Sequence, residues 1–123
     1  TAAHGETKSH LRIPKLTMDK SRIELLRENL LTTPEVPFIR YALAMELSNV
    51  GSGEEAWSHF EYLLKHHPDY SATYFQAGKL LVKSGRSDEA RKVLEKGIAV
   101  TSKQGNVHAQ SELQTALDEL GSR

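Results

Sequence analysis

The sequence contains no cysteine, which excludes disulfide staples and thiolate zinc sites and suits a reducing compartment. The cytoplasm is therefore the expected location. Neither sign of charge is in excess. Sixteen Lys and Arg face 16 Asp and Glu, so the chain lacks the basic field that draws nucleic acid without regard to sequence. No apolar run approaches the roughly 20 residues needed to cross a bilayer, and Thr1-Ala2-Ala3-His4-Gly5-Glu6 has no apolar stretch like that of a signal peptide. Neither nucleic acid nor a membrane is an expected partner. The chain does not open with Met, which leaves room for a leader removed ahead of residue 1. Its 123 residues suffice for one domain and are too few for two ordinary ones with separate cores.

Groups that could carry chemistry are present but scattered. Of the six histidines, His4 and His10 stand in an aperiodic leading segment. His66 and His67 are adjacent near a predicted helix end, where neighbouring side chains diverge by roughly 100°. Glu55 and His59, four residues apart, could touch one metal ion, but two ligands define no site. Nothing near Ser52, Ser58 or Ser71 sets a nucleophile beside an oriented base. Gly51-Ser52-Gly53 has neither the lysine of a phosphate loop nor a strand before it, so it reads as a turn. The expectation is a protein without catalytic residues, metal or cofactor.

What the chain does have is a period. A shift of 34 residues places Gly51 on Gly85, Glu55 on Glu89 and Ala56 on Ala90, with Leu47 on Leu81, Phe60 on Leu94 and Leu64 on Ile98. Run backwards, the same shift sets Leu26 on Phe60, Leu30 on Leu64 and Pro34 on Pro68, while Arg22 stands opposite the small Ala56. Each period reads as two helices around a short turn. Pro37 suits an opening helical turn, where its missing N–H costs nothing. Tyr41 to Leu47 are strong helix formers. Gly51 and Gly85 suit left-handed turn positions, and Ser52 with Glu55 has the spacing of a capping box. Small residues recur where paired helices must approach, with Ala44 and Gly78 facing Ala56 and Ala90.

The ends differ from the middle. Residues 20 to 32 are expected to form a lone helix that packs Ile23, Leu26 and Leu30 onto the first full period. Beyond Gly105, Asn106 is placed to cap a last helix, in which Ala109, Leu113, Ala116, Leu117 and Leu120 recur at helical spacing. Residues 1–18 show no sustained period and read as a flexible arm or a remnant added by cloning, ahead of a helical repeat domain over 19–123.

These residues resemble the tetratricopeptide repeat family, whose 34-residue pattern carries small residues at its eighth and twentieth places. Counted from Pro37 those places hold Ala44 and Ala56; counted from Ser71 they hold Gly78 and Ala90. Tyr74 fits the first bulky anchor, Leu47 and Leu81 the eleventh place, and Pro68 the closing proline. The pattern is departed from at Arg40, in the first aromatic place, and at Ser102, where a closing proline would lie. The resemblance implies an all-α fold of antiparallel helix pairs, with full repeats near 37–70 and 71–104 stacked as a short solenoid between terminal capping helices. It further implies a concave groove lined by the first helix of each pair.

On that geometry Phe38, Tyr41, Met45 and Asn49 line the groove in the first repeat, and Ala72, Phe75, Lys79 and Lys83 in the second. Asn106, Ala109, Leu113 and Ala116 extend it. The register brings Phe75 beside Tyr41. The surface is apolar at one edge and basic at the other, which suits an unidentified protein or extended peptide, in particular an acidic one. Two other uses stay open: self-association as a homo-oligomeric scaffold through the same surface, and cover by Leu11-Arg12-Ile13-Pro14-Lys15-Leu16. The two-carboxylate clamp of some family members needs Lys and Asn where this chain has Tyr41, Met45 and Gln76, so binding of chaperone tails is not expected.

Overall fold

The computed structural model describes residues 21–121. Among them are six helices and no strand: α1 over residues 21–32, α2 Pro37–Asn49, α3 Gly53–His66, α4 Ala72–Lys83, α5 Ser87–Gln104 and α6 Val107–Gly121. The arm expected over residues 1–18, with His4, His10 and the segment 11–16, lies outside the described residues. From α2 to α6 successive helices pack on one another, and α4 also meets α6 and α2, so the helix pairs stack as a short all-α solenoid. No described helix is long and apolar enough to cross a membrane.

Local chemistry sets most of the boundaries. Val36 is extended ahead of α2 and Pro37 opens it. Gly51 and Gly85 hold φ at 87° and 78°, a region closed to most side chains. Both turns close with the same pair of bonds. Ser52 N–H donates to the Leu47 carbonyl at 2.9 Å and Gly51 N–H to Ser48 at 3.2 Å; Arg86 N–H donates to Leu81 at 2.8 Å and Gly85 N–H to Val82 at 3.0 Å. This double bond pattern satisfies carbonyls that a helix end otherwise leaves open. At α6 the Asn106 side chain accepts from Ala109 N–H at 3.1 Å, as its cap position predicts.

The capping box expected at α3 does not form. Ser52 makes no side-chain capping bond, and both carboxylate oxygens of Glu55 accept from the Arg27 guanidinium of α1. The Ser52 N–H that a capping Glu55 would bond is already given to the Leu47 carbonyl in the turn, which leaves the carboxylate to Arg27 of α1.

Packing explains the small residues. Ala44, Ala56 and Ala90 are 0% exposed, and a Cβ on Gly78 would fall 2.6 Å from Leu94 Cδ2. Around Ala44 and Ala56, Leu43, Leu47 and Phe60 form one cluster, onto which Ile23, Leu26 and Leu30 of α1 pack. Tyr74, Leu81, Leu94, Leu113 and Leu120 form a second around Ala90, and Trp57 and Leu64 touch both. Each large apolar side chain so buried contributes roughly 1.5–3 kcal/mol. Gly97 is an unforeseen part of this packing: a Cβ there would lie 2.5 Å from Tyr74 Cβ. Tyr74 is 1% exposed, and its hydroxyl donates to the Pro68 carbonyl at 2.6 Å. The tyrosine thereby joins α4 to the end of the preceding pair.

Candidate functional site

A groove of about 860 Å³ runs between α4 and α6. Gly78 and Leu94 lie at its base, with Val82, Ala116 and Leu120 adding apolar surface. The close approach of α4 to α5 that Gly78 permits sets how deep this floor sits. From α4 come Phe75, Lys79 and Lys83, and from α6 come His108, Glu112 and Glu119. The Lys79 ammonium lies 5.2 Å from the centre of the Phe75 ring, a separation at which cation and ring attract. Opposite, His108 Nε2 is 3.5 Å from a Glu112 carboxylate oxygen, an ion pair whenever the imidazole is protonated.

The sequence-predicted residues divide here. Phe75, Lys79 and Lys83 line this groove. Phe38, Tyr41, Met45 and Asn49 lie on α2, at its first half, middle and end. Phe38 is 58% exposed with its ring 6.5 Å from that of Tyr41. Tyr41 is half-buried and meets Phe60 and Tyr70 edge-on at 6.3 and 5.7 Å. Burial pushes its hydroxyl above the ordinary phenol range, Tyr70 and Glu112 add to the rise, and a hydrogen bond with Gln76 opposes it. Met45 packs against the first core cluster, and Asn49 is exposed. Leu113, expected on the groove, is 1% exposed in the core, because α6 turns its leucines down onto α4 and α5. Asn106 is occupied as a helix cap.

Sequence reasoning missed the acidic wall. Glu112 and Glu119 belong to the polar face of α6, and helical spacing alone reads that face as solvated. It also missed Tyr70, which comes from the turn after α3 to stand against Tyr41.

A different cluster lies on α2 and α3. The Arg40 guanidinium lies 3.7 Å from the centre of the Tyr62 ring, and its Nη1 is 3.2 Å from His59 Nδ1. An arginine can only donate, so His59 Nδ1 accepts. Burial holds this imidazole below its ordinary range, Arg40 and Arg27 reinforce the shift, and Glu55 opposes it. Glu55 lies 3.9 Å from His59 Nε2 but is bound by Arg27. Among the described residues no group of three or more His, Asp or Glu is placed to hold a metal ion. A second depression, of about 880 Å³, opens beside Trp57. There Arg86 lies over the indole and is paired with Glu89, so its charge is already used.

Fold and groove together define a helical repeat protein with an open surface between the first helices of its pairs. The family model described as tetratricopeptide repeat matches residues 51–117. A tetratricopeptide repeat domain protein from Salinibacter ruber is similar in solution at 39% identity over 71% of this chain and 88% of its own, with a TM-score of 0.68. A crystal structure of a Salinibacter ruber tetratricopeptide repeat domain protein gives 38%, 69%, 96% and 0.66 in the same order. A protein from Bordetella parapertussis is 25% identical over 83% of this chain and 89% of its own, with a TM-score of 0.72. No curated protein matches. The chain belongs to the tetratricopeptide repeat family.

Proposed function

We propose that this chain is a non-enzymatic module that holds a protein or peptide on the concave surface of α2, α4 and α6. Phe38, Tyr41, Met45 and Asn49 form one part of that surface; Phe75, Lys79 and Lys83 form the other. The observation that carries this reading is the groove of about 860 Å³ with an apolar floor and charged rims. A depression of this kind gains by excluding water from its floor, and the rims orient what enters. Membership of a family of repeat proteins that commonly bind other proteins supports the same reading. The residues present offer attachment and no reaction.

Selection of binders from a random peptide library, followed by chemical-shift mapping on the intact chain, tests the proposal. Binders are expected to shift the amides of α4 and α6 and to lose affinity with Phe75→Ser. Binders that leave both helices unshifted would defeat the assignment. Light scattering separates the other use of the surface: a wild-type dimer that Phe75→Ser converts to monomer would make the groove an oligomer interface.

A further inference from the structure

The two walls of the α4–α6 groove carry opposite charge. On α4, Lys79 and Lys83 are four residues apart, about 6 Å along the axis. On α6, Glu112 and Glu119 are seven apart, about 10.5 Å. All four side chains are exposed, and all four line the same groove. The walls do not neutralise one another. Lys79 rests near the Phe75 ring and Glu112 faces His108 on its own helix. No ion pair among the described residues joins either lysine to either glutamate. Opposed charges across open water stabilise each other little, so both walls gain most from an occupant that brings a counter-charge to each side.

We infer, on the peptide-binding reading above, that the groove takes an amphipathic helical segment of a partner protein, its apolar stripe flanked by carboxylates on one edge and by basic side chains on the other. Both walls are helices, so a third helix laid between them sets its stripe on the half-buried Val82 and Ala116, above the buried Leu94 and Leu120. Its edges then meet the walls as the flanking positions of a coiled coil meet their partners. A purely acidic segment, which the lysines alone would favour, is repelled by Glu112 and Glu119, and a purely basic one by Lys79 and Lys83. The same groove of a second copy is not the occupant, because two concave surfaces leave each other unfilled.

Four synthetic peptides of about four helical turns test this, with one leucine stripe in common and edges of Glu and Lys, Glu and Glu, Lys and Lys, or Gln and Gln. Each is titrated by fluorescence anisotropy into the intact chain and into two variants, Lys79→Glu with Lys83→Glu and Glu112→Lys with Glu119→Lys. The intact chain is expected to bind the mixed peptide about tenfold more tightly than either single-sign peptide at low salt, and added salt should shrink that margin. The first variant should come to prefer the all-lysine edges and the second the all-glutamate edges. The salt series on the intact chain reads the same preference without any substitution. Equal affinity for all four peptides, or an unchanged ranking in the variants, overturns the two-edged assignment and leaves peptide binding in place. If none of the four binds while library peptides still map to α4 and α6, the helical occupant alone is wrong. If neither set binds, the peptide-binding reading falls with it.

Discussion

Arg40 and Tyr74 occupy the same place in successive helix pairs and are held in opposite ways. Tyr74 is 1% exposed, touches the backbone space kept open by Gly97, and spends its hydroxyl on the Pro68 carbonyl. Arg40 lies half-buried over Tyr62 and donates to His59, and its Nε is buried without a hydrogen-bond partner. Helix α4 is packed by α3, α5 and α6, and the space that Gly97 leaves open lets it bury a whole aromatic side chain. Arg40 is only partly covered, and its flat cation stacks on the Tyr62 ring. In both pairs this place holds a flat group, held by burial at Tyr74 and by stacking at Arg40.

The sharpest way to break this contrast is to truncate both residues. Tyr74→Ala should cost about 3–5 kcal/mol, the usual loss for a buried aromatic, measured from urea midpoints at constant slope. An Arg40→Ala variant equally unstable would make the two positions equivalent. Ala56→Leu and Ala90→Leu come next, each expected to cost about 1–3 kcal/mol by overpacking a helix crossing. Their losses should be alike, because the alanine contact is what the two pairs share. Unchanged midpoints for both would defeat the repeat packing.

Arg40→Ala itself should cost about 1 kcal/mol, the scale of a partly exposed cation–ring contact. The pH dependence of that same cluster is a smaller effect with a definite sign. His59 has its pKa lowered from 6.5 in the folded chain, so the native state binds fewer protons than the unfolded one. Its contribution to stability is present above pH 6.5 and is lost as pH falls from there through the folded pKa. Thermal unfolding followed from pH 7.5 to 5 should show this decline, and His59→Gln should flatten it. An unchanged slope in the variant would place the acid sensitivity elsewhere. Smallest of all is Arg22→Ala, expected within about 0.5 kcal/mol, because Arg22 meets Glu46 with most of its side chain in water.

The repeat, the turns and the small-residue crossings are all legible in the chain of residues alone. Gly51 and Gly85 answer to backbone geometry at one residue, and Ala44, Ala56 and Ala90 to a spacing that recurs with the helix. Such constraints act within a helix or between sequential neighbours, so they leave a periodic trace. The cap of α6 by Asn106 is legible for the same reason. The remaining features were decided by helices far apart in sequence. Glu55 has the spacing of a capping partner, but the Ser52 N–H is closed onto Leu47 and Arg27 reaches the carboxylate from another helix. Leu113 reads as groove and Glu112 as solvated face until the rotation of α6 on α4 and α5 is known, and that rotation buries the one and sets the other on the rim of the groove that Lys79 also lines. A helix's periodicity says which residues share a face. Only the packed neighbours decide what that face looks at, because the angle of approach comes from the sum of many side-chain contacts rather than from any one spacing.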